Sequence, residues 1–291
     1  MHNAFELKGI TKEYRDFTLG PLDLTFQPGT VMGYVGNNGA GKTTTIHILS
    51  GLIVQDSGEV SIFGSPIKPN TIDWKLKIGY VGEAGGFYEN WKVSKNLKFI
   101  SKHYPNWNDS YMTELVSRLS LDINKKVREL SSGNRMKLKL IVALAHQPNL
   151  LLLDEPSSGL DPVVRMEFAD ILREYMLNDS RSILYSTHIL SDISRLADEF
   201  TFLTDGQITK RQNREDLLES WRTFYIRSED RLLLNQAVVS IEQVDGVYKI
   251  ISSKRNETEQ EITASGYSAE TSAPMSLEEI TIQILKRGKN V

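Results

Sequence analysis

Cysteine is absent from the 291 residues, which excludes disulfides, thiolate metal centres and cysteine nucleophiles and suits a reducing compartment. A charge excess is absent too. With 34 Lys and Arg against 37 Asp and Glu, a formal charge of −3 gives no electrostatic reason to expect a nucleic-acid partner, and none is expected. Long apolar runs are also missing. The most apolar windows, around Leu150–Leu153 and Ile183–Tyr185, are bounded by charged or polar residues and fall far short of the roughly 20 residues that span a bilayer. The opening Met1-His2-Asn3-Ala4-Phe5-Glu6 has neither the basic stretch nor the apolar core of a secretory signal. A cytoplasmic protein is expected, and any role at a membrane must be borrowed from a partner.

Residues Ala4–Lys12 and Leu22–Gln27 alternate apolar and polar side chains, with Pro28-Gly29 closing the second run. This pattern predicts antiparallel strands joined by a turn. Val31–Val35 is a short continuous apolar run that leads into a glycine-rich stretch, and Thr43–Leu49 reads as helix. Lys77–Val81, Asn149–Leu153 and Arg181–Tyr185 are further apolar strands separated by segments of helical period, as in a buried parallel sheet. Between Glu83 and Gln147 the period is helical, so a helical insert of about 84–147 is expected inside an α/β domain of residues 1–211.

After Arg211 the pattern changes, and residues 212–291 are expected to form a small α+β appendage. Val239–Val244 and Val247–Ile251 flank Asp245-Gly246, a dipeptide suited to the positive φ angles of a tight hairpin. Arg255–Thr271 is polar and weakly patterned, and Ser276-Leu277-Glu278-Glu279 predicts a capping box opening a short helix through Leu285.

Gly36-Asn37-Asn38-Gly39-Ala40-Gly41-Lys42-Thr43 lies between a predicted strand and a predicted helix, the context a phosphate-binding loop requires. Glycines let the backbone turn its N–H groups inward at phosphate oxygens, where a Cβ would block the approach. The helix adds its positive end, Lys42 reaches the β- and γ-phosphates, the Thr43 hydroxyl ligates Mg²⁺, and Thr44 adds a phosphate contact. The predicted ligand is therefore a nucleoside triphosphate with Mg²⁺. Leu150–Leu153 then ends in Asp154-Glu155, which puts two carboxylates at the carboxyl edge of the sheet. Asp154 is assigned to the metal, and Glu155 to the water that attacks the γ-phosphate. Ser186-Thr187-His188 ends the next apolar strand, bringing an imidazole to the same edge.

Leu130-Ser131-Ser132-Gly133-Asn134-Arg135 precedes a helix predicted from about Met136 to Ala145. It resembles the signature sequence of ABC-family ATPases, usually L-S-G-G-Q, with Ser132 and Asn134 as departures. The resemblance runs from about Leu7 to Thr209 and implies an ABC-type P-loop cassette: a mixed central sheet, an antiparallel β subdomain and a helical subdomain. It implies ATP hydrolysis by two cassettes, a homodimer or a pair of close relatives, that clamp ATP between the phosphate loop of one and Ser131 and Gly133 of the other, with the signature helix standing well away from its own loop. It further implies that Tyr14 stacks on adenine and that Asp161, in Ser157-Ser158-Gly159-Leu160-Asp161, touches the second subunit. The largest departure is Glu83, in Ile78-Gly79-Tyr80-Val81-Gly82-Glu83, where most members of the family carry glutamine; a carboxylate keeps the metal-ligand oxygen but adds charge.

With no membrane span in the chain, the resemblance implies a separate transmembrane permease and a peripheral place on the inner face of the cell membrane. Tyr88-Glu89-Asn90 and Tyr104-Pro105-Asn106-Trp107 are similar to ATPases of antibiotic- or peptide-export systems. A soluble or regulatory ABC ATPase that is not coupled to transport is the alternative.

Overall fold

A computed structural model describes residues 2–68, 71–83, 86–228 and 238–287. The chain divides into two compact units, Met1–Thr209 and Lys210–Val291. In the first, β1 (Phe5–Tyr14) and β2 (Phe17–Phe26) pair antiparallel, and with β4 (Ser57–Ile62) and β5 (Ser65–Pro66) they form a sheet of order β2-β1-β4-β5. The predicted alternation is realised here: Phe5, Leu7 and Ile10 are buried, as are Leu22, Leu24 and Phe26 of β2.

The second sheet has the order β10-β9-β3-β8-β7-β6, built from β3 (Val31–Gly36), β6 (Ile78–Val81), β7 (Leu150–Asp154), β8 (Ser182–Thr187), β9 (Glu199–Thr204) and β10 (Gln207–Asn213). The neighbours from β9 through β3, β8 and β7 to β6 run parallel, so the carboxyl ends of β3, β7 and β8 reach one edge. Every residue of β3, β7 and β8 is buried, which is why these strands read as continuous apolar runs. Helix α1 (Lys42–Leu49) follows β3, and α5 (Pro162–Tyr175) lies between β7 and β8.

The insert between β6 and β7 holds α2 (Val93–Ser101), α3 (Asp109–Arg118) and α4 (Ser132–Ala145). Helix α4 begins a full turn before the predicted Met136. Ser132, Gly133 and Asn134 are poor helix formers by composition, but Ser131 caps the helix by accepting a hydrogen bond from the Asn134 amide at 3.3 Å.

The second unit contains α6 (Arg214–Ser220), β11 (Arg222–Arg227), β12 (Val238–Val244), β13 (Val247–Ser252), α7 (Arg255–Ala264), β14 (Thr271–Pro274) and α8 (Leu277–Arg287). Its antiparallel sheet has the order β12-β13-β11-β14. The hairpin turns through Asp245 at φ 51° and Gly246 at φ 74°, and Ser276 and Glu279 exchange the hydrogen bonds of a capping box. Helix α7 corrects the weakly patterned reading of Arg255–Thr271; only Thr258 and Ile262, one turn apart, are buried on it.

Candidate nucleotide site

The loop leaving β3 is shaped by its glycines. Gly41 is the N-cap of α1 at φ 106°, a region L side chains rarely enter, and a Cβ there would lie 2.5 Å from Leu19 Cδ1. Gly39 also has positive φ, 81°. The Ala40 amide donates to the Asn37 carbonyl at 3.1 Å, which closes the turn. Below it, Thr45 Oγ1 donates to the Gly41 carbonyl at 3.0 Å and lies 3.2 Å from the buried Tyr34 hydroxyl. The first turn of α1 carries no acidic residue, so its positive end is left to an outside anion.

Lys42 is buried, and its Nζ donates to the carbonyls of Gly36 at 2.7 Å and Asn37 at 3.1 Å and lies 3.4 Å from Glu155 Oε1. An open cleft of about 540 Å³ is lined by Asn38, Gly39, Gly41, Lys42, Thr43 and Thr44 of the loop and helix, by Glu155, and by Tyr14 and Phe17. Its volume is in the range of small-molecule sites. Tyr14 is 44% exposed and stacks on Phe17, with centroids 6.4 Å apart. Sequence reasoning had not selected Phe17, which carries no motif; only its nearness to Tyr14 could have suggested it.

The acidic pair divides into two environments. Asp154 is 5% exposed, and its Oδ1 has no hydrogen-bond partner among the described residues. Burial pushes the Asp154 carboxyl above the usual carboxylate range, and the Thr43 and Ser186 hydroxyls pull it partly back. An orphaned carboxylate oxygen close to a threonine hydroxyl and a cradle of backbone amides is a donor set that fits a hydrated Mg²⁺ on a triphosphate. Glu155 has φ 48°, a left-handed conformation that costs about 1–3 kcal/mol in a non-glycine residue. Its amide donates to the Ser186 carbonyl at 3.1 Å. The side chain lies between Lys42 and His188, with Oε2 2.8 Å from His188 Nδ1.

A second cleft, of about 570 Å³, brings Asn38, Asp154, Glu155 and His188 together with Glu83, Ser132, Arg135, Lys139 and Ser158. The start of the signature helix therefore shares a cleft with its own acidic pair. Ser131 and Gly133 line neither cleft. Ser131 Oγ is engaged in its cap, and a Cβ on Gly133 would stand 3.0 Å from the Gly159 carbonyl. Asp161 caps α5, accepting from the Val163 and Val164 amides at 3.0 Å ahead of Pro162. Glu83 is exposed, and its carbonyl accepts from Lys139 Nζ at 3.1 Å. Lys139 sits within the apolar period of α4, where no motif marks it.

A profile of the ABC transporter family matches residues 19–158. The chain is 29% identical over 242 residues to the ABC transporter ATP-binding protein YtrB of Bacillus subtilis, covering 82% of each chain. It is 33% identical over 249 residues to the bacitracin transport ATP-binding protein BcrA of Bacillus licheniformis, covering 84% of this chain and 80% of that one. Among solved structures it is similar to a dimeric post-hydrolysis state of the ATP-binding cassette MJ0796 bound to ADP and Pi. That likeness has a TM-score of 0.65 at 21% identity and covers 72% of this chain and 98% of the other.

Proposed function

The chain belongs to the ABC transporter ATP-binding family and is an ATPase of that type, and we propose that it powers an exporter whose membrane-spanning part is another polypeptide. The observation that carries the reading is the meeting of Lys42, Asp154, Glu155 and His188 at one sheet edge.

In this mechanism the backbone amides of residues 37–43 and the Lys42 ammonium hold the phosphates, and Tyr14 takes the adenine on its exposed face. Thr43, Asp154 and Glu83 are the residues that would hold Mg²⁺, which supplies charge neutralisation at the phosphate oxygens. Glu155 accepts a proton from the attacking water as its oxygen bonds to the γ-phosphorus and the bond to ADP breaks. His188, held at 2.8 Å by Glu155, orients that water and donates to the γ-phosphate.

The N-terminal turn of α4, with Ser131 and Gly133, is a second anion grip, and it serves the ATP of a second ATPase subunit in a two-fold dimer. The solved dimeric cassette of similar fold supports this arrangement. Asp161 stands at the loop facing that second subunit. The helical insert presents stacked aromatic rings, Tyr88 on Trp91 at 4.2 Å, with Tyr88 51% and Phe99 37% exposed. This is the surface we assign to the permease, which holds the protein at the inner face of the membrane. Similarity to a bacitracin transport protein supports export of a peptide, antibiotic or other amphipathic compound.

The test is co-purification of the membrane protein bound to this chain, followed by ATP turnover with that protein in vesicles. Turnover that rises with an amphipathic peptide supports the reading. Recovery of no membrane protein with the chain, and turnover that membranes and amphipathic peptides leave unchanged, would assign it to an ABC ATPase not coupled to transport instead.

A further inference from the structure

Helix α4 holds the segment after β6 at two points. Arg135 donates two hydrogen bonds to the Glu89 carboxylate, at 2.6 and 2.7 Å. One turn later Lys139 Nζ donates to the Gly82 carbonyl and, at 3.1 Å, to the Glu83 carbonyl. Residues four apart on a helix share a face, and two cations there repel. Lys139 is also partly buried, and its ammonium is held against the backbone of Glu83. A carboxylate at position 83 therefore places a negative charge beside this lysine and within the same cleft, as a glutamine would not.

The same charges matter in the opposite direction. Glu83, Asp154 and Glu155 line one cleft, so a triphosphate entering it meets three carboxylates. Like charges several ångströms apart repel strongly enough at surface-like dielectric values to change affinity by about tenfold. Lys139 lines that cleft too, tied by backbone bonds to the residue whose charge it balances.

We propose that Lys139 is a positioning residue of the nucleotide site: it fastens Gly82 and Glu83 to the signature helix and supplies the positive charge that allows a carboxylate at position 83. The inference rests on the reading of Glu83 as a metal-binding residue.

The experiment is calorimetric titration with ATP, in Mg²⁺ and in EDTA, of the wild type, Glu83→Gln, Lys139→Met and the double variant. Lys139→Met is expected to weaken ATP binding by about tenfold when Glu83 is present and by no more than about twofold in the Glu83→Gln background. Lys139→Arg, which keeps the charge, stays within about threefold of the wild type. Equal losses in both backgrounds would overturn the proposal. Should Lys139→Met not fold, Lys139→Gln keeps a donor for the two carbonyls without the charge and carries the same comparison. If Glu83→Gln leaves the Mg²⁺ dependence unchanged while the coupling persists, the metal role of Glu83 fails and the pairing with Lys139 stands.

Discussion

Glu155 Oε2 lies 2.8 Å from His188 Nδ1, while Oε1 of the same carboxylate lies 3.4 Å from the Lys42 ammonium. One side chain thus joins the end of β7 to the phosphate loop and to the end of β8. Its backbone stands at φ 48°, a conformation held by the bond from its amide to Ser186. A base placed this way can act on a water beside the γ-phosphate without any rearrangement of the sheet.

Replacing Glu155 by Gln preserves the shape and removes the carboxylate proposed as the base. Turnover is expected to fall by about 10²–10⁴, while ATP affinity measured by calorimetry remains. Turnover close to that of the wild type would remove Glu155 from this role.

Lys42→Ala removes the only lysine that reaches the loop carbonyls among the described residues. ATP binding is expected to weaken by at least tenfold, in line with loss of a charge-assisted contact to phosphate. The measurement is ATP titration at fixed Mg²⁺, and unchanged affinity counts against the cradle.

Glu83→Gln takes one negative charge from the cleft that holds Asp154 and Glu155. The Mg²⁺ concentration for half-maximal hydrolysis is expected to rise, because a neutral oxygen attracts the cation less. A superimposable Mg²⁺ curve would show that position 83 does not sense the metal.

His146, at the end of α4, is buried and stacks on Tyr104 at 4.3 Å. Burial lowers its pKa from 6.5 to about 4, so the folded chain keeps the ring neutral where the unfolded chain would protonate it. The stabilisation of about 3 kcal/mol is complete above pH 6.5 and is lost as pH falls toward 4. Urea unfolding of His146→Phe across this window should show a shallower loss than the wild type; parallel curves would contradict the linkage.

The phosphate loop, the acidic pair and the Asp245-Gly246 hairpin were legible because each demands particular residue types in a fixed local order. The start of α4 was not, since its first turn is held by a cap and by the insert rather than by propensity. Helix α7 buries two residues in ten and so leaves almost no periodic trace. Asp161 was selected for a contact with another subunit, yet within one chain its carboxylate is occupied by the first turn of α5. Lys139 was invisible for a different reason: its partners are backbone carbonyls on another element, and no spacing rule predicts them.

In the arrangement we propose, one ATP is held by two copies. A crystal structure of Glu155→Gln grown with ATP and Mg²⁺ tests it most directly. Phosphates are expected on Lys42 and the loop amides of one copy, with Ser131 and Gly133 of the other against the γ-phosphate. ATP held entirely within one copy, in a protein whose wild type hydrolyses under the same conditions, would contradict it.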